Sequence, residues 1–278
     1  MFSFRYHITS LVAVFLALTV GLLLGSALVD SGSIARRQEG MLTSIKEDLA
    51  VVRDKDKALQ IEVSELRRFS TDVLKVAIHG RLDGERVAVV TLSANNSGIA
   101  AELGQTLVKS GATAGRVDID TAKIDLGNKE LVDKLTKAMG AESTETSFEK
   151  VLWPQIAREL SGASPPKLLD ALVADDLATI GDKTILPATK VVLVAPRSGA
   201  GNRDTLLVNA LRDQPDLVTV GVETSKAEHS RMSAYQVANI ATVDNVDTAA
   251  GKISLVYLLD TGEKGKFGVK SSADRLLP

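Results

Sequence analysis

Imidazole, thioether and carboxylate side chains are the groups in this chain that can hold a metal or move a proton, and they are thinly spread. His229 and Met232 stand three apart as H-x-x-M, a donor pair that suits copper(I), which favours sulfur and accepts imidazole. Two donors do not complete a site. The other methionines (Met1, Met41, Met139) and histidines (His7, His79) are scattered along the chain. Cysteine is absent, which excludes thiolate metal sites, disulfides and cysteine nucleophiles. Asp118 and Asp120 close a strand-like run as two carboxylates with no third partner in view. No G-x-S-x-G nucleophile motif occurs.

One glycine-rich stretch invites a ligand reading. RSGAGNRD (197–204) sets Gly199 and Gly201 ahead of a helix-like segment, where backbone N–H groups can cradle an anion. Its G-x-G lacks the third glycine of a dinucleotide fingerprint, and the Lys-Ser/Thr of a phosphate-binding loop is missing. Chain reversal is the simpler use of these glycines. Trp153 reads as a core or interface residue. The expectation is a protein that is not an enzyme, with no catalytic or cofactor set and weak metal candidates at His229 and Met232.

Composition narrows the partners. The chain has 278 residues and a net charge of −2, with charges well mixed, and aromatics make up 4%. No basic patch interleaves with aromatics, so nucleic acid is not an expected partner.

The elements that position these groups begin with Ile8 to Val29, a run of 22 residues without a charged side chain. As a helix it reaches about 33 Å, enough for a hydrocarbon core of about 30 Å. Its length, and the lack of an A-x-A-like site after it, favour a membrane anchor over a cleaved signal peptide. Ala13, Ala17, Gly21 and Gly25 recur every fourth residue and share one helix face, a packing device between membrane helices. Flanking positive charge leaves the orientation open: Arg5 lies upstream, Arg36, Arg37 and Lys46 downstream.

A short turn is expected at DSGS (30–33), after which the pattern changes to heptads. With Leu42 at a, the a series runs Ala35, Leu42, Leu49, Asp56, Val63, Ser70, Ala77, and the d series Gln38, Ile45, Val52, Leu59, Leu66, Val73. Charges flank the seam at Lys46, Asp48, Arg53, Lys55, Glu62 and Arg67, which predicts a coiled coil with Asp56 as a polar residue fixing register. A second copy and a different protein both remain open as the partner.

Beyond HGRLDG (79–84) the period changes again. Short β-branched runs at 86–92, 117–119, 191–195, 218–222 and 253–259 predict strands. Segments 99–109, 129–139, 148–160, 167–179 and 204–212 predict helices. Strand, polar loop, helix, strand, used twice, is the grammar of a mainly parallel α/β sheet flanked by helices. The loops at 93–98 and 197–202 would lie at its carboxyl edge. The expected order is a tail (1–7), a transmembrane helix (8–29), a coiled-coil helix (30–84), an α/β domain (85–262) and a flexible tail (263–278).

The opening run FRYHITSLVAVFLALTVGLLLGSAL, followed directly by the heptad helix and later by VVLVAPRSGAG, resembles the actinobacterial MctB family over essentially the whole chain. That resemblance implies copper transport across the envelope, with the C-terminal part outside the cytoplasm. Corynebacterial members are also known as SteB. They are associated with a membrane partner, SteA, in a complex that influences cell separation through peptidoglycan hydrolases. The residues favour the second role. One helix encloses no pore of its own, no charged or ligand-bearing residue lines the span, and both the small-residue stripe and the heptads are pairing devices. The expectation is therefore a single-pass cell-envelope protein that assembles through its transmembrane and coiled-coil helices with a SteA-like partner or a peptidoglycan hydrolase. Copper transport is the alternative.

Overall fold

A computed structural model describes residues 4–28, 31–92, 97–140, 148–196 and 202–278. The chain divides into two compact units, Met1–Leu66 and Arg67–Pro278. The first unit is helical. Helix α1 covers Phe4–Leu28 and contains an apolar stretch, Arg5–Ala27, long enough to cross a membrane. Helix α2 covers Ser31–Ile78, so residues expected as a turn at its start are already helical. No glycine or proline falls between Met41 and Ile78, so nothing in that stretch breaks the turn-to-turn hydrogen bonds.

In the second unit, β1 (Arg86–Thr91), β2 (Thr113–Ile119), β3 (Ala178–Ile180), β4 (Lys190–Val194), β5 (Val218–Val222), β6 (Ala241–Val243) and β7 (Lys266–Phe267) form one sheet. Its order is β3-β2-β1-β4-β5-β6-β7. Every pairing is parallel except β2 with β3. The crossovers are α3 (Ser97–Lys109), α4 (Lys129–Met139), α5 (Phe148–Ser161), α6 (Lys167–Ala174), α7 (Arg203–Arg212), α8 (Met232–Val237) and α9 (Ala249–Thr261).

Each sheet face carries its own core, and β1 shows why its sequence is apolar without a break. Ala88 and Val90 join Leu152, Trp153, Leu168, Leu207 and Tyr235 on one side. Val87 and Val89 join Leu103, Leu107, Leu255 and Leu259 on the other. A strand covered on both faces has no polar side to display. The end of α2 belongs to the second core: Ile78 and Leu82 are buried there, with Leu74 packed against them. Gly111 makes the adjoining turn possible, since it has φ +98° and a Cβ there would strike the Asp83 carboxylate.

The architecture is the expected one: apolar helix, long helix, then a mostly parallel sheet flanked by helices. Individual elements differ. Residues 253–259 lie inside α9 and form no strand. Thr248 caps this helix by accepting a hydrogen bond from Gly251 N–H, and Gly262 closes it in the left-handed conformation. Leu255, Val256, Leu258 and Leu259 are all buried, and the half-buried side carries Ile253 and Tyr257, so apolar residues on both sides hide the period. Helix α6 stops at Ala174, because the run that follows turns into β3. The expected flexible tail holds β7, and Phe267 is bridged to Arg275 and lies under its guanidinium.

Candidate functional site

Two sets of residues stand out: the open faces of α1 and α2, and a web of buried charge at the carboxyl edge of the sheet. In α1, Ala13, Ala17, Gly21 and Gly25 are exposed, and a Cβ placed at Gly21 or Gly25 would meet nothing within 4 Å. The stripe is therefore open to the close approach of another helix. Hydroxyls in the span turn inward on their own backbone. Thr9 donates to Arg5 O at 2.9 Å, Thr19 to Phe15 O at 2.7 Å and Ser26 to Leu23 O at 3.0 Å. A hydroxyl satisfied within its own helix suits a medium that offers no partner.

Along α2 the predicted seam stands in solvent. Leu42, Ile45, Leu49, Val52, Leu59, Val63 and Leu66 are 43% to 61% exposed. Val73 is less open, one turn before Ile78 enters the α/β core. Asp56, in the middle of the seam, accepts a hydrogen bond from Gln60 Nε2 at 2.8 Å.

The edge of the sheet is built differently. Asp204, at the start of α7, is fully buried and receives Arg231 through two bonds of 2.7 Å, Nε to Oδ2 and Nη2 to Oδ1. Tyr235 donates its hydroxyl to the same carboxylate at 3.0 Å. Its ring fills the space a side chain at Gly221 would take, since a Cβ there would lie 2.4 Å from the ring. Burial pushes the Tyr235 phenol well above its ordinary range, and the Asp204 charge adds to this. The hydrogen bond to Asp204 raises Arg231 in turn.

One strand over, Glu223 accepts from Ser230 Oγ at 2.6 Å, Arg231 N at 3.0 Å and Lys270 Nζ at 2.7 Å. Asp244, at the end of β6, takes the N–H groups of Val269 and Lys270 at 2.7 and 3.0 Å. Asp247 accepts from the N–H and hydroxyl of Ser225, both at 2.7 Å. Burial alone would raise Asp247, but these two bonds, together with its own backbone N–H and the Lys226 charge, leave the carboxyl below its ordinary value. Each of these carboxylates faces donors from another element. The web's visible work is to tie α7, β5, α8, β6 and the C-terminal segment together.

The residues singled out by spacing are dispersed by the fold. His229 is exposed, whereas Met232 is fully buried in the core under α8, so the H-x-x-M pair does not converge. His7, His79 and Met41 are exposed, and Met139 packs against a core. Among the described residues no group of three or more His, Cys, Asp or Glu is placed to hold a metal ion. Asp118 is engaged by Thr91 Oγ1 at 2.8 Å and Arg116 at 3.1 Å, and Asp120 caps a turn through Ala122 N. Trp153 is a core residue. Gly199 and Gly201 lie outside the described residues, as does most of the loop at 93–98.

The buried web was missed from sequence. Its signal was present: Glu223 and Asp244 each follow directly on an apolar strand, where a charge enters the crevice at the strand ends.

The profile of a family described as "Copper transport outer membrane protein, MctB" matches residues 1–278. Among characterised proteins, the chain is similar to the copper transporter MctB of Mycobacterium bovis and to that of Mycobacterium tuberculosis. Each is 23% identical over 312 residues, covering 98% of this chain and 98% of the relative.

Proposed function

The chain belongs to the MctB family, and from that membership we propose that it is a single-pass, non-enzymatic cell-envelope protein acting through assembly. In this reading α1 anchors it in the cell membrane, and α2 and the α/β unit stand on the extracytoplasmic side. The complex joins it to a SteA-like membrane partner or a peptidoglycan hydrolase and regulates cell separation. The observation that carries the proposal is the open seam of α2: seven apolar residues, 43% to 61% exposed, along one unbroken helix. Apolar area left in water on this scale marks a surface meant to be covered.

Copper transport is the second reading, and it rests on the full-length family match and on the name its mycobacterial relatives carry. It requires donors to gather around the ion, and His229 and Met232 are held apart by burial.

One sample tests both readings. The full chain, in lipid nanodiscs with its membrane partner, is weighed by light scattering and titrated with copper(I) by calorimetry. Assembly predicts a complex that Leu49→Asp abolishes while the α/β unit keeps its melting transition, with no tight copper binding. An intact complex in Leu49→Asp sinks the assembly reading. Stoichiometric, tight copper binding makes transport the leading function.

A further inference from the structure

We propose that the α2 seam is closed by α2 of a second copy of this chain, parallel and in register. This rests on the assembly reading above and names what covers the seam, leaving a SteA-like protein or a hydrolase to meet the paired chain. The argument comes from the residues beside the seam. In a parallel pair, each g residue faces the e residue five positions later on the other helix. Here that juxtaposes Asp48 with Arg53 of the second copy and Glu62 with Arg67 of the second copy, two attractions, each made twice by symmetry. Lys55 meets Gln60, and Met41 meets Lys46, neither a repulsion. All of these side chains are exposed on the single helix.

An antiparallel pair fails the same test. It sets e against e, and three of the four e positions from Lys46 to Arg67 are basic (Lys46, Arg53 and Arg67), the fourth being the neutral Gln60. The polar layer points the same way. Asp56 at an a position packs beside the g residue of the facing helix, which in register is Lys55. Two copies thus supply the cation that a carboxylate in an apolar seam needs, and Gln60 holds that carboxylate in place from its own helix. The seam ends where the second copy must part: Leu74 and Ile78 turn into their own α/β core. A membrane anchor on the N-terminal side of α2 also starts both helices from one plane, which parallel alignment requires.

The chain contains no cysteine, so one introduced cysteine reports only on itself. In the full chain in membranes, Leu59→Cys at a d position is expected to oxidise to a self-linked dimer. Ala58→Cys, on the outer face, should react about tenfold more slowly, since a disulfide needs Cα atoms within about 7 Å. Arg53→Glu should weaken the dimer roughly tenfold by turning two attractions into repulsions. Asp48→Arg added to it should restore the wild-type constant. Equal oxidation at residues 58 and 59, or no rescue by the second substitution, overturns the proposal. If Leu59→Cys links instead to a different polypeptide, self-pairing fails and the assembly reading stands. No self-linked adduct at residue 59 overturns self-pairing, and the assembly reading is then decided by light scattering of the wild-type and Leu49→Asp complexes.

Discussion

Helices α2 and α9 are both rich in Leu, Ile and Val, yet one reads as a heptad and the other shows no period. The reason lies in what covers them. Helix α9 lies in a core with α3 and the sheet and buries Leu255, Val256, Leu258 and Leu259 within its own chain. Helix α2 leaves Leu42 through Leu66 open and keeps charge on the flanks. A hydrophobic period therefore reports how many sides of a helix are to be covered, more than whether the segment is helical. The α/β unit satisfies its own apolar surface, whereas the α2 seam stays exposed along its helix, the surface that the assembly reading assigns to other molecules.

That contrast can be broken from either side. The largest effect on folding should come from Leu255→Ala in α9, which opens a cavity in a sealed core and costs the α/β unit about 2–5 kcal/mol. Denaturant unfolding of the full chain in nanodiscs should show this loss while cross-linking along α2 persists. Next comes Leu49→Asp, its mirror image. It should reduce assembly more than about a hundredfold by placing a charge in the apolar seam, yet shift α/β stability by less than about 0.5 kcal/mol. Equal damage to both properties by either variant would erase the distinction.

Two smaller changes sharpen it. Thr248→Ala removes the cap of α9 and should cost about 1 kcal/mol, read as a lower melting temperature. Tyr235→Phe loses its bond to Asp204, about 1 kcal/mol or less. It also changes the alkaline limb. The Tyr235 phenol sits above its unfolded value, so its stabilisation is present in full below about pH 10 and is lost as pH rises through the folded value. Wild-type stability should therefore fall above about pH 10 more steeply than that of Tyr235→Phe, which unfolding curves from pH 8 to 11 would show.

Much of the fold was legible because its patterns are local. The charge-free span, the heptads from Leu42 to Leu66 and the β-branched runs at 86–92 and 218–222 each announce themselves within a few residues. Helix α9 and strands β3, β6 and β7 were not legible. The first lost its period to burial on several sides. The others run only two or three residues, and neighbouring strands set their pairing. The buried web was hidden for a similar reason. Asp204, the stretch from Glu223 to Tyr235, and Lys270 come from three separate parts of the chain, and the crossovers bring them together. The H-x-x-M spacing makes no pair because His229 lies in the exposed loop before α8, whereas Met232 opens that helix and enters the core.

The fastening of residues 266–270 has a consequence in time. β7 pairs with β6, Asp244 takes two backbone N–H groups from Val269 and Lys270, and the Lys270 ammonium sits on Glu223. Residues 266–270 follow Glu223 and Asp244 in the chain, so this segment must be made before either carboxylate gains these partners. The strand that fastens β6 is thus synthesised after the strands it closes over.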